Sequence, residues 1–166
     1  MARSLVTTLS ALAVAALLAT PLLATPALAM SSGSSSSSTS SSSTAETAYE
    51  KGRALVKQQD FRGAITALTK AVEADARNAD AQSLLGYAYR KTGDYPNALE
   101  HYLAALALDP NHADAHEYIG EAYLELGDLA KAEEHLTALA GICPTGCEQR
   151  DELAGAVAAY KAAHSS

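Results

Sequence analysis

Cys143 and Cys147 are the only thiols in the chain, and they flank Pro144-Thr145-Gly146. Cysteines at this spacing across a Pro/Gly turn can bring their Cα atoms within the roughly 4.4–6.8 Å that a disulfide needs. So short a loop removes little chain entropy, so the bond would stabilise by at most about 2–3 kcal/mol. Its expected job is to pin the segment that follows. The alternative is a working thiol pair, redox-active or holding a soft metal such as reduced copper, although the spacing is not the C-x-x-C of thioredoxin-like enzymes. His112 and His116 stand at i, i+4 with Glu117 beside them, a spacing that can serve a surface metal. His112, however, sits at or before a helix start, so the two rings are not fixed on one face. These two, and His101 and His135, are expected to be solvated. No Ser/His/Asp set, catalytic carboxylate pair or phosphate-cradling glycine loop stands elsewhere, so the expectation is no enzyme, no metal and no cofactor.

The elements that must position such residues follow from a repeat. Leu85-Gly86-x-x-Tyr89, Ala98, Tyr102, Ala105 and Pro110 recur 34 residues on as Ile119-Gly120-x-x-Tyr123, Ala132, Leu136, Leu139 and Pro144. Counting back by the same period reaches Gly52, Leu55, Ala64, Leu68 and Ala71 in a worn first copy. A fixed period of this length means stacked units, each unable to bury its apolar face alone. Asp60, Asp94 and Asp128 fall at the sixteenth position, where a carboxylate can accept from first-turn amides of a second helix. Gly93 and Gly127 precede two of them as left-handed helix ends, Pro96 fits a first turn, and Asn78 and Asn111 are read as the stops and caps between repeats. Helices are expected at 45–58, 61–75, 79–92, 95–108, 113–126 and 129–141. Gly52, Gly86 and Gly120 are expected where the two helices of a repeat cross closely.

These offsets resemble the tetratricopeptide repeat, a helix–turn–helix of about 34 residues with a small residue at the eighth position, an aromatic at the eleventh and alanine at the twentieth. The resemblance implies an all-α helical-repeat solenoid of three helix–turn–helix units, 45–78, 79–112 and 113–146, followed by a capping helix and tail at 147–166. Two departures stand out: the fourth position, often Trp in the family, holds Ala48, Gln82 and His116, and Ala76 replaces the expected Pro. Glu148 to Ala163 carries Leu153, Val157 and Tyr160 on one stripe, as a helix that covers an exposed apolar end would.

The resemblance also implies that the first helices line a groove and that the second, fifth, ninth, twelfth and thirteenth positions face a ligand. Among these, Tyr49, Arg53, Lys57, Tyr87, Arg90, Lys91, Glu117, Glu121 and Glu125 are the candidate partner-binding residues. Arg53, Lys57, Arg90 and Lys91 would make one end basic, and Glu117, Glu121 and Glu125, at i, i+4 and i+8, an acidic stripe at the other. Arrays of this family that grip a terminal carboxylate carry Lys and Asn at the fifth and ninth positions. Here those positions read Tyr49 and Arg53, Ser83 and Tyr87, Glu117 and Glu121, so that clamp is not expected.

The N-terminal segment completes the organisation. Residues 1–29 hold one charge, Arg3, an apolar run from Leu5 to Ala19 and Ala27-Leu28-Ala29, the pattern of a secretory signal cleaved after Ala29. The run is shorter than the roughly 20 apolar residues of a membrane span, so none is expected once the signal is removed. Residues 30–44 are nearly pure Ser and Thr and read as a disordered linker, with a capping box at Ser43-x-x-Glu46 starting the first helix. Without the signal, 19 acidic residues face 11 basic ones, which argues against nucleic acid. The expectation is a monomeric periplasmic or secreted module for a protein or peptide partner, the thiol redox or metal-handling protein being the alternative.

Overall fold

A computed structural model describes residues 37–165, in which seven helices and no strand form. They are α1 (Ser37–Lys57), α2 (Phe61–Ala74), α3 (Ala79–Lys91), α4 (Tyr95–Leu108), α5 (Ala113–Glu125), α6 (Leu129–Ile142) and α7 (Glu148–His164). Helices α1/α2, α3/α4 and α5/α6 are the three repeats, and α7 follows as the cap. The expected signal peptide and the start of the Ser-rich linker lie outside the described residues. None of the described helices is long and apolar enough to cross a membrane.

The punctuation is local chemistry. Asp60, Asp94 and Asp128 cap α2, α4 and α6, accepting from the amides of Gly63 (3.0 Å), Asn97 (3.4 Å) and Lys131 (3.2 Å). Gly93 and Gly127 close α3 and α5 at φ +82° and +83°, and Gln59 holds the same left-handed post after α1 at φ +61°. In all three turns the next Asp amide donates back to a carbonyl five residues earlier, that of Leu55, Tyr89 or Tyr123, which is how a left-handed residue satisfies the carbonyls of a helix end.

Two expectations are corrected here. Helix α1 begins at Ser37, so residues 37–44 are helical rather than part of a disordered linker, and Ser43 lies inside the helix. Once a helix is nucleated, each added residue gains a hydrogen bond, and Thr47 donates to the Ser43 carbonyl at 2.8 Å within the extended turn. The cap of α5 is His112, not Asn111. Its Nδ1 accepts from the Ala115 amide at 3.3 Å, in the register that Asn78 holds for α3.

The core is segmented at the junctions between units. Ala64 and Leu68 of α2 pack with Leu85 and Ala88 of α3. Ala98 and Tyr102 of α4 pack with Ile119 and Ala122 of α5, and Ala132 and Leu139 of α6 with Leu153 and Val157 of α7. Each unit therefore buries its apolar face on the next one. A Cβ on Gly52 would collide with Leu68, and one on Gly86 would lie 2.6 Å from the Tyr102 ring and 2.9 Å from the Ala98 carbonyl. Both close approaches fall within a repeat. The third is a correction: the notch at Gly120 is filled by Leu153 of α7, whose Cδ2 lies 2.5 Å from where a Cβ would stand. Its repeat's own candidate, Leu136, is only partly buried.

Candidate functional site

Helices α1, α3, α5 and α7 line one continuous series of concavities. The first, about 320 Å³, is bounded by Tyr49, Arg53, Val56 and Lys57 of α1, Asp80, Ser83 and Leu84 of α3, and His112, Asp114 and Tyr118. Ser83 Oγ lies buried there with no hydrogen-bond partner among the described residues. The second, about 420 Å³, is lined by Tyr87, Arg90 and Lys91 of α3, Asp114, Glu117, Tyr118 and Glu121 of α5, and Glu148, Gln149 and Glu152 of α7. A third, about 300 Å³, adds Leu124 and Glu125 to Ala156 and Tyr160 of the cap. The nine candidate residues thus lie on this face, split between three pockets. Tyr87 and Tyr118 form the partition between the first two, their ring centroids 4.8 Å apart.

The charge arrangement differs from a basic end facing an acidic end. Arg90 has a side chain only 2% exposed and is committed internally: Nη2 donates to Glu121 at 2.5 Å and Nη1 to Glu125 at 2.9 Å. Its guanidinium also lies over the Tyr87 ring, 5.4 Å from the centroid. A buried guanidinium is retained only when paired, so Arg90 clamps α3 to α5 and is not a free basic contact. Arg53 pairs with Glu50 at 2.9 Å on the surface, and Lys91 lies 5.2 Å from the Tyr87 centroid. Of the acidic stripe, Glu121 and Glu125 thereby share one guanidinium. Glu117 is 5% exposed, and burial, with Glu152 of α7 beside it and Glu121 and Asp114 adding repulsion, pushes its carboxyl up to about 8.

The solvated reading of the histidines is overturned. His112 Nδ1 accepts the helix-cap bond, so Nε2 carries the proton and donates to Asp80 at 3.0 Å. His116 Nε2 donates to the Pro110 carbonyl at 3.1 Å, leaving Nδ1 to accept from His135 Nδ1 at 3.0 Å. Burial and His116 lower the His135 ring to about 4. One repeat earlier, His101 stacks on Tyr89, at 5.5 Å between centroids, and bonds Gln82 at 2.8 Å. Where the family often has Trp, the second and third repeats thus place a polar side chain, Gln82 or His116, paired with a histidine 19 residues on. The recurring offset is the signal that the sequence carries.

The cap does more than cover an end. Cys143 and Cys147 are disulfide-bonded with Cα atoms 5.9 Å apart, and Arg150 Nη1 donates to the Cys143 carbonyl at 3.1 Å and that of Pro144 at 3.3 Å. Gln149 donates to Asp114 at 2.7 Å, and Lys161 pairs with Glu133 at 2.5 Å. Helix α7 therefore seats on both α5 and α6 and brings Glu148, Gln149 and Glu152 into the second pocket. Sequence reasoning missed these three. Continuing the 34-residue count past Gly146 puts Glu148 at the second position with Asp80 and Asp114, a signal that was there to find.

A tetratricopeptide repeat family model matches residues 49–113 and again 84–146. This chain belongs to the tetratricopeptide repeat family. Among solved members, the first repeat domain of Spaghetti (RPAP3), bound to the HSP90 peptide SRMEEVD, is 24% identical with a TM-score of 0.66, over 75% of this chain and 96% of that one. MamA is 28% identical with a TM-score of 0.57, over 61% and 59%. The Yersinia enterocolitica type III secretion translocator chaperone SycD is 20% identical with a TM-score of 0.67, over 75% and 88%. No curated protein sequence matches the chain.

Proposed function

We propose that this tetratricopeptide protein is a non-catalytic, exported interaction module that binds an extended segment of a partner protein along the face lined by α1, α3, α5 and α7. The observation that carries the reading is the run of three pockets on that face, each formed between neighbouring repeats or between the last repeat and the cap. Solved domains of the same fold hold peptides, the first and second repeat domains of RPAP3 those of HSP90 and HSP70. The partner class differs, since the Lys and Asn of a terminal-carboxylate clamp are replaced here by Tyr49, Arg53, Ser83 and Tyr87. Export is supported by the leader pattern of residues 1–29 and by the Cys143–Cys147 bond, which suits an oxidising compartment. The thiol redox alternative has nothing behind it except the cysteines themselves.

The test is a displayed library of twelve-residue peptides selected on the mature protein, the enriched sequences then titrated by calorimetry. An Arg53→Ala/Lys57→Ala/Lys91→Ala variant, altered only at solvent-reaching side chains, should bind them at least tenfold more weakly. Enriched peptides that bind the variant as tightly as the natural chain would overturn the reading.

A further inference from the structure

We propose that the pocket between α3, α5 and α7 takes a cationic side chain, the arginine or lysine of a basic partner segment. The inference rests on the interaction reading above and specifies the chemistry at one of its subsites.

Carboxylates outnumber cations in this pocket, five to two. Both cations are already engaged, Arg90 with Glu121 and Glu125 and Lys91 over Tyr87. Asp114 already accepts from Gln149. That leaves Glu117 on α5 and Glu148 and Glu152 on α7 with no cation in contact among the described residues. An excess of carboxylates alone is not a site. The second observation is Glu117 itself: it is 5% exposed, it lines the cavity, and its hydrogen-bond partner there is another carboxyl, Glu152, so the pair holds a proton where a cation could stand.

Burying a carboxylate without a positive partner costs several kcal/mol, and such a group is relieved in one of two ways, by holding a proton or by gaining a cation. Glu117, raised by burial and by its hydrogen bond to Glu152, takes the first route. A guanidinium or ammonium entering the cavity offers the second, because a cation within about 4–6 Å favours the charged form. The opening, about 420 Å³, admits a long side chain, and its lining is almost wholly polar, which disfavours an apolar anchor. Binding should therefore release the proton held by Glu117. In the two pockets beside it each carboxylate has a partner, Asp80 with His112, Asp114 with Gln149, and Glu121 and Glu125 with Arg90, so the cation preference is placed at one point along the partner.

The probes are two acetylated and amidated heptapeptides, Gly-Ser-Arg-Ala-Arg-Ser-Gly and its counterpart with Glu in place of both Arg, titrated at pH 7 and low salt by NMR and calorimetry. The Arg peptide should bind at least tenfold more tightly and shift the amides around Glu117, Glu148 and Glu152. Glu148→Gln/Glu152→Gln, changed at exposed side chains, should lose at least fivefold in affinity for it. Titration in two buffers of different ionisation enthalpy should show proton release that disappears in Glu117→Gln, a change that a merely structural role would not produce. Equal affinity for the two peptides, or no loss in the double variant, would overturn the proposal. If the library peptides still bind the groove while the Arg peptide does not, the cation subsite falls and the interaction module stands; if neither binds, both fall.

Discussion

Gly120 and Gly155 are both helical glycines, yet a methyl group has opposite consequences at the two. At Gly120 it would drive into Leu153, whereas at Gly155 it meets nothing within 4 Å. Gly120→Ala should therefore cost about 1–3 kcal/mol through overpacking, and Gly155→Ala should gain about 0.5–1 kcal/mol from helix propensity; urea midpoints measure both. Glu117 supplies a pH dependence. Its carboxyl lies at about 8 in the fold against 4.5 for an unperturbed glutamate, so the native state keeps a proton that the unfolded chain loses. That contribution is complete below pH 4.5 and declines as pH rises to 8, by at most about 1.4 kcal/mol per pH unit. His135 has the reverse sign: lowered to about 4 from 6.5, it removes stability as pH falls through that range. Glu117→Gln should flatten the decline between about pH 5 and pH 8 and leave the acid side unchanged, and an unaltered profile would refute the assignment. The three capping aspartates are legible in the sequence because a cap acts on an amide three residues away. Arg90 is not, because its partners lie 31 and 35 residues along the chain, and residue type alone reads as a solvated groove charge. His112 escapes notice because Asn is the better cap by type, although the register points one residue further.

At the scale of elements, the starts and ends of α2 to α6 follow from the period within a residue or two, because glycine, aspartate and proline signals recur in phase. Helix α1 departs from this: a Ser/Thr composition gives no reason to expect the helix to run back to Ser37. The burial of α7 against α5 also depends on a choice between Leu136 and Leu153 for one notch, which only three-dimensional packing decides. The disulfide acts on this same element. Reduction of Cys143–Cys147, or Cys147→Ser, should raise amide hydrogen exchange through α7 while leaving α1–α4 protected, with a stability loss of at most about 2–3 kcal/mol. Unchanged protection in α7 would mean that Leu153, Val157 and the Arg150 bonds hold the cap by themselves.

For the whole molecule, three core segments at three junctions mean that stability is nearly a sum of neighbour terms. The fold is legible for that reason, since one unit read correctly yields the others. The ligand is not, since pockets arise between units and their contents depend on how far each helix advances over the last. The export reading belongs to this scale too: expressed in a secreting host with its leader, the chain should be recovered beginning at Met30, and mass spectrometry that finds Met1 retained would refute cleavage. The way Leu153 occupies Gly120 bears on the history and engineering of the array. Repeat proteins commonly grow by tandem duplication, and a fourth unit spliced in after Gly146 would push Leu153 away from its notch and withdraw Glu148 and Glu152 from the second pocket. In this lineage, then, array length and ligand choice would have to change together, and a designer wishing to lengthen the molecule would do better to duplicate the second repeat, upstream of the cap and the surface it completes.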